Sequence, residues 1–539
     1  MRKRQHTKSR GKCHLPGQKP RGCFQKRVER VGGNRFAMIA VDVGKPEACV
    51  QVFDYYGKVL VEPFSLAVTG PGLEGACGDI RKALEDHGMQ DWVCVVETTG
   101  RYHLPIRKIF EKHLGETRNL HPFTTSQVRK SCDWGNKTDQ TDLAAIHRAA
   151  LLGLAMTNEV LSDQDKAWRI LTRHRRDLVE KAATLKVQLK EMIHAYLPGF
   201  TALWPADHFW ESPIGVTMAT VFASAEAIEK ASDEEFIEIA RSIGTVIRGP
   251  TIQRIRVWAA QAAPADDAAN IYHRRAGALW KDLRGKQQEI ADIELDLALF
   301  LCQSPFVLLT AFPGINVVSA SDYGAELGPI INYATSKSIA GRAGLYPSRY
   351  QSSEAIDLAD GPLIARRNRQ LRAALMRISR NLRRNNDYYK AKAFSLRQQN
   401  KSAHTHVIIA RMFSRLSFHV VSGHVIDHPA LQTKHAILQK LIHFFVEHNA
   451  SADLIATALA NATAQLPRCV VPTEGNALRK EQEEILHKRR PRTRVRQIGE
   501  IIAETLLRLA EQYPEDIDLH EAQASQPQPE LIEDATRGT

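Results

Sequence analysis

Asn136-Lys137-Thr138-Asp139-Gln140-Thr141-Asp142 sets two carboxylates three residues apart at the start of an apolar helical pattern. On a helix that spacing puts both on one face, about one turn apart. Such a pair can offer acidic oxygens to one hard cation, provided other carboxylates converge on it. An isolated aspartate before an apolar run more commonly caps the helix. Upstream, Asp42 ends the apolar run Ala40-Val41-Asp42-Val43-Gly44, and Glu97 ends Val95-Val96-Glu97-Thr98-Thr99-Gly100. Acids at the ends of apolar strands face the rim of a sheet, not its core. Four carboxylates gathered there repel one another unless cations neutralise them. Two Mg²⁺ ions about 4 Å apart suit such a set, and serve in-line phosphoryl transfer.

The elements that must position these acids read clearly. Residues 36–43 pattern as a buried strand, 48–54 as its neighbour, and 59–66 as a third after the turn at 55–58. Gly70-Pro71-Gly72 opens a helix to about residue 87; 91–97 is a strand, 103–114 a helix and 117–120 a short strand. Helices follow around 124–131 and 139–152. Three strands followed by alternating helix and strand predict an α/β domain over 36–155, a mixed sheet with helices on its faces.

Beyond it the pattern is helical. Long mixed-charge helices over 162–196 and 265–302 can pair antiparallel or form a coiled coil, within a linker of 156–304 that carries an irregular insertion at about 198–264. Residues 309–320 read as helix, tight hairpin, helix. Pro313 presets the turn, Gly314 permits a left-handed backbone, and Asn316 tolerates one. The N–H groups opening the second helix can hold a phosphate. Residues 366–384 carry eight arginines and no acid, over a buried stripe of Leu371, Leu375, Ile378 and Leu382. That imbalance suits phosphate contacts, so Gly314, Arg366, Arg367, Arg369, Arg372, Arg377 and Arg380 are the expected nucleic-acid-binding residues. Helices continue through 405–422 and 438–460.

Charge and length bound the rest. A chain of 539 residues exceeds one core and implies two to four domains. The net charge is +13, with twelve Lys/Arg against Glu29 in a basic arm at 1–35, expected to be disordered. A polyanionic partner follows from that balance. A second basic run, 488–496, precedes an amphipathic pattern at 498–512 in a helical extension (426–513), and 514–539 is an acidic tail of disordered composition. No run of about 18 uncharged apolar residues predicts a membrane span, and the N-terminal segment lacks the apolar run of a secretory signal. Eight scattered cysteines read as reduced thiols of a cytoplasmic protein, and Cys13, Cys23 and His14 match no zinc spacing.

Asp42, the segment Glu97-Thr98-Thr99-Gly100-Arg101-Tyr102 and residues 136–142 resemble the acidic signature of DEDD-type insertion-sequence transposases over about 36–155. Ala340-Gly341-Arg342-Ala343-Gly344-Leu345-Tyr346-Pro347-Ser348-Arg349-Tyr350-Gln351-Ser352-Ser353 resembles the C-terminal domain of the same enzymes, over about 305–425. The resemblance implies a RuvC-like (RNase H-fold) first domain whose Asp42, Glu97, Asp139 and Asp142 hold Mg²⁺. It implies that Ser352, with Ser353 beside it, attacks a DNA phosphate and forms a phosphoserine link. It further implies donor and target DNA as substrates, a guide (bridge) RNA, and a homodimer or larger assembly in which one protomer's acids meet another's serine. Serine needs activation, and with no His–Asp relay nearby the acidic cluster's metals are the expected activator. Two rival readings remain: a RuvC-like, structure-selective nuclease of the junction-resolvase type using water, and a non-catalytic nucleic-acid-binding protein.

Overall fold

Nearly continuous burial along β1 (Phe36–Val43) and β4 (Asp91–Glu97), covered on both faces, organises the first unit. The computed structural model describes residues 24–132, 135–157, 161–205, 208–350, 359–364, 367–399, 404–423, 428–432 and 434–466. Ser352, Ser353, Arg366, most of the basic arm, the second basic run and the acidic tail lie outside these. The chain divides into two units, Met1–Val160 and Leu161–Thr539.

In the first unit, α1 (Gln25–Val31) precedes β1, β2 (Glu47–Asp54), β3 (Val59–Ala67), α2 (Gly70–Asp86), β4, α3 (His103–Leu114), β5 (Thr117–Leu120), α4 (Pro122–Cys132), α5 (Asp139–Leu151) and β6 (Met156–Thr157). The sheet order is β3-β2-β1-β4-β5-β6. β1–β3 run antiparallel as a meander, β4 and β5 run parallel to β1, and β6 closes antiparallel to β5. Strand side chains alternate between faces. Ile39, Val41, Cys94 and Val96 therefore pack on one face with α2 and α3. Met38, Ala40, Val93 and Val95 pack on the other with Leu143, Ala145, Ile146 and Ala149 of α5. Two exposed residues were too short a signal to predict β6.

The folded part begins earlier than the basic arm expected over 1–35. Phe24 is buried, and Arg27 of α1 pairs with Asp91 and Glu116 and donates to the Trp92 carbonyl. The hydrogen bond from Arg27 holds the Asp91 carboxyl below its ordinary range.

The second unit is built on two 34-residue helices, α6 (Asp163–Tyr196) and α12 (Ala269–Cys302). Arg175 pairs with Glu294 and the Asp266 amide donates to the Ala195 carbonyl, so the two run antiparallel. Between them lie α7 (His208–Glu211), α8 (Pro213–Val221), α9 (Ala225–Lys230), α10 (Asp233–Ser242) and α11 (Gly249–Ala259). The insertion is thus a lobe with its own core, formed on the C-terminal half of α6 and the N-terminal half of α12. The opposite ends of α6 and α12 join a second core with α13 (Val317–Leu327), α14 (Ser336–Ala343), α15 (Arg369–Asn385), α16 (Asp387–Gln398), α17 (Thr405–Val421), α18 (Lys434–Glu447) and α19 (Ala452–Thr463). Among the described residues no single helix is long and apolar enough to cross a membrane.

Two local expectations change. The segment before the Pro313-Gly314 turn is a 3₁₀ helix (Pro305–Ala311), and Asn316 is not left-handed but extended, capping α13 through the Ser319 amide. The helix expected over 438–460 is broken into α18 and α19, because Asn449 takes a positive φ of 54° and Ser451 starts a new cap.

Lys440 holds the turn region from beneath. Its Nζ donates to the carbonyls of Thr310 (2.6 Å), Phe312 (2.9 Å) and Ile315 (3.3 Å). Burial pulls this amine down to about 8 from its ordinary 10.5. Between those values the unfolded chain holds the proton that the folded chain has lost, so stability is expected to rise as pH climbs through that window and to stay flat, at its lower level, below it. Lys440→Met strands three acceptors and should cost about 2–4 kcal/mol while abolishing this pH increment. Urea unfolding at pH 7.5 and 9.5 measures both.

Candidate active site

Parallel pairing of β1 and β4 runs Ala40 beside Val95 and Val41 beside Val96, which brings Asp42 and Glu97 to neighbouring places at the C-terminal rim. By the same alternation both follow residues of the α5 face, Ala40 and Val95, by two positions. α5 begins at this rim and supplies Asp139, exposed, and Asp142, buried in its first turn. Neither aspartate caps the helix. Thr138 does so, accepting from the Thr141 amide while Thr141 Oγ1 accepts from the Thr138 amide. The ordinary reason for aspartate at this place is therefore already met by threonines.

Electrostatics ties the four acids together. Asp42 is pushed up to about 6, first by burial, then by the charges of Glu97, Asp142 and Asp139 in that order. Thr99 Oγ1 donates to Glu97 Oε1 at 3.2 Å, while the Thr98 amide and hydroxyl both bond the Leu120 carbonyl at the end of β5. The Thr98-Thr99 pair thus fixes the strand end that carries Glu97. Arg129 of α4 was not anticipated as part of this site. Its Nε lies 2.8 Å from Asp142 Oδ1, though its N–H is not directed at a hydrogen-bond acceptor. Among the described residues no three His, Cys, Asp or Glu side chains stand close enough to share one ion as placed. The donor set itself is all carboxylate and mutually repulsive, which is the chemistry of a hard-cation site.

Residues 39–198 match a family model of DEDD transposases of the IS110 type, described as transposase, and residues 307–395 match one described as transposase, IS116/IS110/IS902 family. The chain belongs to the IS110-type DEDD transposases. No curated protein matches it closely enough to add to this. The transposase is accordingly a DNA-cutting and rejoining enzyme of an insertion sequence, and DNA is its partner.

The second matched region of the transposase carries the serine segment. β7 (Pro347–Tyr350) and β8 (Ala359–Leu363) form an antiparallel hairpin, and Ser352 lies in sequence between them. Arg372 closes its base. Its guanidinium donates to the carbonyls of Ala343 (2.8 Å), Gly344 and Ile364 (2.7 Å), gripping the chain on both sides of the hairpin. Gly344, at φ +62°, leaves the space that Arg372 enters; a Cβ there would meet the guanidinium. Arg372 is thus committed to backbone carbonyls, and Arg377 is paired with Asp322 at 2.8 Å. Arg367, Arg369 and Arg380 are exposed. Gly314, at φ +89°, packs against the Asn381 carbonyl of α15, where a Cβ would come within 2.8 Å. Arg372→Met should leave three carbonyls unpaired and speed hydrogen exchange at the Ile364 amide, which bonds the Tyr346 carbonyl, by about tenfold or more.

Proposed function

We propose that this transposase cuts and rejoins DNA by transesterification, with a Mg²⁺ site on the rim of the first unit and Ser352 as nucleophile. The observation that carries the reading is the convergence of Asp42, Glu97, Asp139 and Asp142, felt as the rise of Asp42 to about 6. A RuvC-like (RNase H-fold) first unit is supported by the β3-β2-β1-β4-β5 order, with acids at the ends of adjacent parallel strands. Asp42 and Glu97 would hold the cation from the sheet, Asp139 and Asp142 from α5. Bound there, Mg²⁺ supplies charge neutralisation and phosphate activation.

In the reaction Ser352 Oγ loses its proton and bonds the scissile phosphorus. The P–O bond to one deoxyribose breaks and the released oxygen takes a proton. The phosphoserine diester keeps the bond energy, so reversal on a second strand end rejoins DNA. Arg372 holds both ends of the hairpin from which Ser352 acts, and exposed arginines on α15 receive phosphates. The family resemblance extends this to a bridge-RNA guide, two Mg²⁺ per site and a multimer in which one copy's acids meet another's serine. Incubating the full chain and its guide with DNA bearing the element's ends, with Mg²⁺ or EDTA, tests the core of the reading. A Mg²⁺-dependent protein–DNA adduct resistant to SDS is expected; strand cutting without any adduct would favour a water-using nuclease.

A further inference from the structure

α16 is anchored to α15 through Asn386, which caps it by accepting from the Tyr389 amide and also donates to the Ala430 carbonyl. Tyr389, Ala393 and Leu396 form the buried face of α16. Lys390, Phe394 and Arg397 are spaced i, i+4, i+7 and share the outer face. Phe394 is 63% exposed, and with Arg383 of α15, Lys390 and Arg397 it lines an open concavity of about 480 Å³. Arg380 and Arg384 are exposed further along this end of α15. Burial first, and then the charges of Arg383, Arg380 and Arg384, push His406 below its ordinary range, and Arg383 lies 3.3 Å from its Nε2.

Lys390 is paired with Asp387 at 2.7 Å. Arg380, Arg383, Arg384 and Arg397 have no carboxylate partner among the described residues. A single exposed phenylalanine is ordinary on a protein surface, but not one flanked by two arginines, Arg383 and Arg397, that no described carboxylate neutralises. A second copy docked symmetrically on this patch would set the same guanidiniums against each other, which costs several kcal/mol. A flat apolar ring framed by cations fits a nucleobase with its flanking phosphates, since every base has a π-face. Within a duplex those faces are already stacked, so the base must be unpaired.

We propose that Phe394 is a stacking platform for an unpaired base of a nucleic-acid strand, whose phosphates lie on Arg383, Arg397 and Lys390. Single-stranded DNA and RNA share this chemistry. The proposal rests on the reading of the chain as a nucleic-acid enzyme and deepens it with a site built from α15 and α16 residues.

The test measures binding of fluorescent oligo-dT, oligo-U and a blunt duplex of equal length to the wild type, Phe394→Ala, Phe394→Trp and Arg383→Gln/Arg397→Gln. Phe394→Ala should weaken one or both single strands about 5- to 100-fold, leave the duplex within about twofold, and leave the thermal melt unchanged. The more affected single strand identifies the source. Phe394→Trp should restore binding, and the double arginine variant should flatten the salt dependence of single-strand binding. Unchanged single-strand binding by Phe394→Ala, equal loss on the duplex, or an altered oligomeric state by sedimentation overturns the platform. A wild type that binds no nucleic acid at all overturns the underlying reading as well.

Discussion

Asp42→Asn is expected to reduce Mg²⁺-dependent strand cleavage by roughly a thousandfold while making the metal-free first unit more stable. The first effect follows from removing one of the four proposed cation ligands, since losing several kcal/mol of transition-state stabilisation costs about tenfold in rate per 1.4 kcal/mol. The second follows from burial and from Glu97, Asp142 and Asp139, which together lift Asp42 to about 6, so its charge is unfavourable in the fold at neutral pH. An amide of the same shape removes that repulsion. A carboxylate kept for structure would behave in the opposite way. Thermal melts in EDTA should therefore show Asp42→Asn above wild type, and Mg²⁺ should raise the wild-type midpoint more than the variant's. A variant that melts lower in EDTA, with cleavage intact, would remove Asp42 from any metal site.

The sign of that effect separates function from packing because the rest of the first unit is packed in the usual way. Its strands are legible as short continuous apolar runs, because both faces are covered: Ile39 and Val41 go to one core, Met38 and Ala40 to the other. Once the strands were placed, the parallel step from β1 to β4 was enough to bring Asp42 beside Glu97. α5 is legible from the apolar run after Asp142, but its capping by Thr138 is visible only in the structure. Arg129 was invisible for a different reason. Nothing in a single helix pattern tells which of its basic residues turns toward the next helix, and α4 meets α5 through a tertiary contact.

The arginine helix shows the same limit. Its apolar stripe was correctly read, with Leu371, Leu375, Ile378 and Leu382 all essentially inaccessible. Its charges were read as one group, yet their directions divide them. Arg372 turns to carbonyls at residues 343, 344 and 364, whereas Arg380 and Arg384 face outward. Phe394 is available in the sequence as Lys390-x-x-x-Phe394-x-x-Arg397, a stripe flanking the buried Tyr389, Ala393 and Leu396. The insertion, irregular in its sequence pattern, carries enough apolar residues between α6 and α12 to build its own core, with Phe200, Phe209 and Phe236 fully buried.

Ser352→Ala is expected to abolish the covalent protein–DNA adduct and to lower strand exchange by roughly 10⁴-fold, as loss of a nucleophile does in other covalent enzymes. Its contrast with Asp42→Asn is the informative part. With the acids intact, Ser352→Ala should keep the full Mg²⁺-induced rise in melting midpoint and the wild-type affinity for DNA. Ser353→Ala is the necessary partner, since the two hydroxyls are adjacent in the same segment. If Ser352→Ala retains the adduct and Ser353→Ala loses it, the nucleophile moves by one residue and the mechanism stands. If both single variants and the double variant still cut DNA at the wild-type rate, the acids are activating water. Bond energy would then be lost at each cut, and rejoining would need another source of free energy.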